Sequence, residues 1–274
     1  MTGRRAAARG VNLLAAAVLC AGCAPPAVRF AARAGELGLA RRELAGQPYA
    51  HVVYAPASRG PVPLLHVYLD GDGTPWRRGR PEPDPTPREP LVLELMARDP
   101  GAARYLGRPC YHGLGARPPC VPRDWNEGRY APAVVASLAA AVRALAAEAG
   151  ASRVALLGHS GGGTLAMLVA PRVPEVVAVV TVAANLDVEA WAVAQAIPPL
   201  SGSLDPARLG PLPTGIVQRH YAGGRDRVVP PALLARAPIA PGSLRVVAEF
   251  DHACCWRERW AEILAELRTA LGAP

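Results

Sequence analysis

Apolar positions fall into short blocks punctuated by glycine and proline, and blocks of two kinds alternate along the chain. Brief runs rich in Val, Leu, Ile and Tyr, at 51–55, 63–69, 103–107, 153–158, 176–183, 216–221 and 244–250, predict β-strands. Longer Ala- and Leu-rich stretches at 91–97, 131–149, the run leaving Gly161, and 256–271 predict helices. Residues 31–44 fit a short surface helix. Between 74 and 90 six prolines exclude helix and central strand, so this is a long loop. Strands alternating with helices imply an α/β protein whose mostly parallel sheet is covered on both faces. The expected domain spans 49–274, after a tether and N-terminal segment over 24–48.

The block at 153–158 runs into Gly158-His159-Ser160-Gly161-Gly162, and a helical pattern follows at once. A strand that turns this sharply into a helix needs small residues two before and two after the central serine, and Gly158 and Gly162 supply them. That is the strand–elbow–helix unit of the α/β-hydrolase fold. Ser160 is then an exposed nucleophile, and the Gly161 amide at the helix start faces a developing oxyanion. A phosphate-binding loop would require Gly-Lys, and the chain has no lysine. The strand at 63–69 ends in Asp70-Gly71-Asp72-Gly73, where this fold places its second oxyanion donor, here assigned to the Asp72 amide. Asp-x-Asp-Gly also occurs in calcium loops, but no distal Glu completes that pattern. The expectation is therefore no metal and no cofactor.

Two further residues follow predicted strands in the order this chemistry requires. Asp226, in Gly223-Gly224-Arg225-Asp226, is the expected acid, and His252 is the expected base. An alcohol attacks poorly until a histidine takes its proton, and a buried carboxylate must fix that histidine's tautomer. Asp187, after the strand at 176–183, is the alternative acid. His51, His66, His112 and His220 have structural readings, His159 is expected to pack rather than react, and Asp251 is too close to His252 in sequence to reach its ring.

Composition adds the compartment. The 274 residues are 51% hydrophobic with a formal charge of +8, and the arginines that carry it are scattered, without the basic stripe that nucleic-acid binding needs. Residues 1–23 combine Arg4, Arg5 and Arg9 with a short apolar core ending in Leu19-Cys20-Ala21-Gly22-Cys23. This is an export signal similar to those of bacterial lipoproteins, with Cys23 as the lipidated mature N-terminus and ordinary cleavage near residues 21–24 as the alternative. Localisation in the bacterial envelope, on a membrane through a lipid anchor, follows. In an oxidising compartment Cys110 and Cys120 can close their glycine- and proline-rich loop as a disulfide, with two free buried thiols as the alternative. Adjacent Cys254 and Cys255 are not expected to bond each other.

The stretches Tyr68–Gly73, Asp84–Pro87, Gly107–Cys110, Gly158–Gly162, Asn185–Asp187, Gly223–Asp226 and His252–Trp256 together resemble a family of bacterial exported α/β-hydrolase lipoproteins. The resemblance implies the fold, a triad of Ser160, Asp226 and His252, and an Asp-Gly-Asp-Gly turn near the oxyanion. The expected activity is hydrolysis of a small-molecule or lipid-like acyl substrate through an acyl-enzyme, with carboxylic esters first. A peptidase, amidase or thioesterase with the same triad is the nearest alternative. An envelope binding protein on a hydrolase scaffold is the alternative of a different class.

Overall fold

Side-chain alternation along the central strands decides which helices cover which face of the sheet. The computed structural model describes residues 24–57 and 60–272, so the expected export signal and Cys23 lie outside the described residues. In chain order the elements begin with α1 (Pro26–Glu36), β1 (Ala40–Leu44), β2 (His51–Ala55), β3 (Leu64–Leu69), β4 (Trp76–Arg77), β5 (Arg80–Pro81), α2 (Leu91–Ala97) and β6 (Ala103–Leu106). They continue with α3 (Pro132–Glu148), β7 (Arg153–His159), α4 (Gly161–Val169), β8 (Val176–Val182), α5 (Val188–Ala194) and α6 (Pro206–Leu209). The chain closes with β9 (Val217–Gly223), α7 (Pro231–Leu234), β10 (Leu244–Val247) and α8 (Trp256–Ala270).

Leu65, Val67 and Leu69 of β3 and Val154 and Leu156 of β7 join one core with α3 and α4. Their neighbours Tyr68, Ala155 and Leu157 face the opposite core with α1, α2 and α8. The period of two along each strand thus separates two apolar layers, one on each side of the sheet. Eight strands pair in the order β1-β2-β6-β3-β7-β8-β9-β10. β1, β2 and β6 meet antiparallel, and every pair from β6 to β10 is parallel. Every residue of α4 is buried, because it lies between the sheet and α3.

Register brings the strand ends together. Leu69 is opposite Gly158, and His159 is opposite Val182, which in turn faces Tyr221. The residues that follow β3, β7, β8 and β9 therefore emerge along one edge, at the carboxyl ends of the parallel strands, where open α/β sheets bind ligands.

The amino-terminal stretch differs from expectation. Instead of a tether and a surface helix over 31–44, the helix begins at Pro26 and stops at Glu36, and residues 40–44 form an edge strand on β2. Phe30 and Ala34, one turn apart, pin that helix to the sheet, and Phe30 packs 5.5 Å from Tyr54, 5.3 Å from Tyr105 and 4.7 Å from His112, ring centre to ring centre. The strand went unseen because Arg41, Arg42 and Glu43 are exposed and leave no apolar alternation, as befits a charged edge. Within the expected loop at 74–90, β4 and β5 form a small separate hairpin, turning through Arg78 and Gly79 at positive φ. No helix among the described residues is long and apolar enough to cross a membrane.

Because Phe30 is 2% exposed and anchors α1, Phe30→Ala is expected to cost about 3–5 kcal/mol, read as a lowered urea midpoint at unchanged slope. A loss below about 1 kcal/mol, the size of an ordinary surface change, would mean that α1 is not part of the cooperative core.

Candidate active site

Between β7 and α4 the backbone turns through Ser160 at φ 53° and ψ −126°, a strained conformation for a residue with a side chain. The crossing is crowded. A Cβ on Gly158 would collide with the backbone of Gly162 and Gly163, and one on Gly162 would collide with the carbonyls of Leu69 and Asp70. The Ser160 amide is tied to the Val182 carbonyl at 2.9 Å, which fixes the turn to the neighbouring strand.

The Ser160 hydroxyl donates to His252 Nε2 at 3.1 Å, and His252 Nδ1 donates to Asp226 Oδ2 at 2.8 Å. Acceptance by the carboxylate requires the proton on Nδ1, which leaves Nε2 with a lone pair toward the serine. The other Asp226 oxygen accepts from the amides of Val228 and Val229, each at 2.8 Å. Two turns hold this chain of bonds. The amides of Gly224 and Arg225 donate to Val247 and Phe250, stitching the Asp226 turn to the one that carries His252. His159 Nε2 donates to the His252 carbonyl at 2.7 Å, and burial, then the neighbouring His252 ring, pushes its own ring down to about 4. It is therefore a neutral packing and orienting group near pH 7, as its position beside the serine suggested.

Of the expected acid and its alternative, the structure brings Asp226, the expected one, to His252. Asp187 instead caps α5, accepting from the Ala190 amide at 2.9 Å. Asp251 accepts from the amides of Ala253 and Cys254 and does not reach the imidazole. His51, His66 and His220 are paired with Ser137, Asp99 and Thr181, away from the serine. Gly161 opens α4, and no hydrogen bond among the described residues engages the amide of Gly161 or of Asp72. The Asp72 side chain, on the cleft wall, meets Arg108, Arg129 and Tyr130. Sequence reasoning missed these three: in a chain with scattered arginines, nothing local separates a buried guanidinium from a solvated one.

A cleft of about 790 Å³ opens above Ser160 and His252. Trp76, Leu91, Trp191, Ile197, Pro198 and Val228 give it a mainly apolar wall. Trp191 Nε1 donates to the Val228 carbonyl at 2.8 Å, and the Gln195 amide reaches the carbonyls of Arg227 and Val228, so α5 is fastened to the segment that follows Asp226. Cys110 and Cys120 form the expected disulfide. Cys254 and Cys255, expected to remain apart, are also joined. Cys255 takes a left-handed conformation at the start of α8, which folds the adjacent residues toward each other.

No protein-family profile matches the chain, and no curated protein matches it in sequence. Solved structures do match its fold. Mouse alpha/beta hydrolase domain-containing protein 10 is 13% identical, with 85% of this chain and 98% of that one covered, at a TM-score of 0.54. A membrane phospholipase A, titled a bacterial virulence factor, is 17% identical over 90% of this chain and 93% of its own, at 0.57. A puromycin hydrolase is 20% identical over 86% of this chain but only 40% of its own length, at 0.55. At these identities the likeness carries the architecture: the chain has the α/β-hydrolase fold.

Asp70, at the end of β3, adds a titrating group to the cleft floor. Its Oδ1 accepts from the Gly71 amide at 2.8 Å and its Oδ2 from the Tyr105 hydroxyl at 3.0 Å, while burial pushes the carboxyl up to about 6. Since this lies above the value of an unfolded aspartate, the protonated form is the one the fold favours. Its contribution is fully present below about pH 4 and is lost as pH rises through about 6. Asp70→Asn, which stays neutral, is expected to be more stable than the parent by about 1–3 kcal/mol at pH 8 and by almost nothing at pH 4. Thermal melts of both proteins across that range check it; an equal gap at both ends would contradict the burial argument.

Proposed function

We propose that this protein is a serine hydrolase that cleaves a carboxylic ester through an acyl-enzyme. The observation that carries this reading is the continuous chain of hydrogen bonds from Ser160 through His252 to Asp226, at 3.1 and 2.8 Å, beneath an open apolar cleft. His252 Nε2 takes the serine proton as Oγ adds to the ester carbonyl, and Asp226 stabilises the imidazolium that results. The carbonyl oxygen gains negative charge and accepts hydrogen bonds from the Asp72 amide and from the Gly161 amide at the amino end of α4. As the tetrahedral centre collapses, the C–O bond to the alcohol breaks and His252 returns its proton to that oxygen. Water, deprotonated by the same imidazole, then releases the acid and restores Ser160.

The cleft lining favours an ester with a sizeable apolar acyl or alcohol part, which Trp76, Trp191 and Ile197 would bury. Amide cleavage is the second reading, and Glu89 and Glu127 on the cleft rim speak for it, as carboxylates suited to a substrate ammonium. Action in the bacterial envelope, with Cys23 as the lipidated terminus, extends the proposal. It is supported by the charge and apolar pattern of residues 1–23 and by a Cys110–Cys120 disulfide that suits an oxidising compartment.

A fluorophosphonate probe is expected to label the folded protein at Ser160 alone, as mapped by peptide mass, and Ser160→Ala and His252→Ala are expected to abolish labelling. Asp226→Asn keeps an oxygen for the Val228 and Val229 amides and is expected to lower kcat on a p-nitrophenyl ester by about 10⁴-fold, because an amide favours the wrong imidazole tautomer. A folded wild-type protein that resists the probe and leaves every ester and aminoacyl amide intact would sink the enzyme reading and favour the binding protein.

A further inference from the structure

On the wall of the same cleft, beside the turn that crosses Ser160, lies a largely buried ionic cluster that the proton relay does not use. The Asp72 carboxylate accepts from the Arg108 guanidinium, from Arg129 Nη1 at 2.8 Å and from the Tyr130 hydroxyl, which is 2.8 Å from both oxygens. The Arg108 and Arg129 side chains are only 2% and 8% exposed. Both are themselves tied down: Arg108 Nη2 donates to the Arg129 carbonyl at 3.0 Å, and Arg129 Nε donates to the Asn126 carbonyl at 2.7 Å. Arg108 also stacks on Tyr111 and Tyr130, 5.1 and 5.4 Å from their ring centres. Tyr111 returns to the same residue from its other side, its hydroxyl donating to the Asp72 carbonyl at 2.9 Å. Asp72 is therefore held through its side chain and its main chain at once.

Two close approaches link this cluster to the nucleophile. A Cβ on Gly161 would overlap the Asp72 carboxylate and crowd the Tyr130 hydroxyl, so the start of α4 rests directly on the clamped group. A Cβ on Gly71 would come 3.2 Å from the Ser160 Cβ, so the turn that bears the Asp72 amide lies over the serine. One carboxylate thus touches the carriers of both candidate oxyanion donors. Fixing two guanidiniums out of water is costly, and here charge-assisted bonds from both to the Asp72 carboxylate offset that cost. The two neighbouring arginines outweigh burial and hold the Asp72 carboxyl well below the usual carboxylate range, so the clamp stays ionised across ordinary pH.

We propose that Arg108, Arg129 and Tyr130 are positioning residues of the oxyanion site: by gripping the Asp72 carboxylate they set the Asp72 amide against that of Gly161, ahead of substrate. The inference rests on the ester-hydrolase reading above and deepens it. Its chemistry is specific, because donors held in place before the reaction stabilise charge that appears only in the transition state, and a small displacement forfeits much of that effect. Loosening the clamp therefore lowers kcat while leaving KM nearly unchanged.

The test compares wild type, Tyr130→Phe, Arg129→Gln and Arg129→Lys on a matched p-nitrophenyl ester and its thionoester, in which sulfur replaces the carbonyl oxygen. Sulfur is a poor acceptor, so an ordered pair of N–H donors discriminates strongly against the thionoester, and a disordered pair does not. Tyr130→Phe and Arg129→Gln are expected to lose about 10- to 100-fold in kcat on the ester, to change KM by less than about threefold, and to shrink the ester-to-thionoester ratio. Arg129→Lys should recover part of both. Tyr130→Phe keeps the ring and its stacking, so it remains informative if an arginine variant fails to fold. Equal losses on the two substrates with an unchanged ratio, in a folded variant, would overturn the clamp and leave the parent reading standing. A wild-type protein without turnover or Ser160 labelling would overturn both.

Discussion

The crossing of β3 and the amino end of α4 is the constraint on which the rest depends. Ser160 stands in a strained backbone conformation because Gly162 has no side chain and the helix can close onto the Leu69 and Asp70 carbonyls. That contact sets how far the serine projects, where α4 begins and which amides lie beside it. The cost of one residue in a sparsely populated region is of the order of 1–3 kcal/mol. The surrounding parallel strands, buried on both faces, over-determine the turn and hold it there.

Much of this architecture was legible in the sequence, for a reason that particular residues make plain. Val176–Val182 is nearly all β-branched because a parallel strand covered on both sides needs apolar side chains at every position. The glycines around Ser160 are spaced by steric need, and Asp226 and His252 each follow a strand whose end the sheet brings to the same edge. Local pattern and global placement coincide at these positions, so reading one reveals the other.

Where the two part, the sequence was silent or misleading. Residues 40–44 form a strand through pairing alone, since only Leu44 turns inward and the charged side chains face solvent. Asp187 remained in sequence as the alternative acid because it also follows a strand, and the three-dimensional path shows it capping a helix while Asp226, the expected acid, meets the imidazole. Arg108 and Arg129 lie 36 and 57 residues from Asp72. No periodicity reports such a meeting, and an arginine-rich chain hides a functional arginine among solvated ones.

The fastening of α5 carries a consequence for how such a protein could diversify. Trp191 and Gln195 grip the carbonyls of Arg227 and Val228, while the amides of Val228 and Val229 grip Asp226. One wall of the cleft and the acid therefore share two consecutive peptide units. On the hydrolase reading proposed above, remodelling that wall to admit a new substrate disturbs the carboxylate that orients His252, so selectivity and rate are inherited together on this side. The hairpin bearing Trp76 makes no hydrogen bond to that segment among the described residues. On the same reading, drift in substrate preference has its freer path there, through an outer rim that is not bonded to the Asp226 segment.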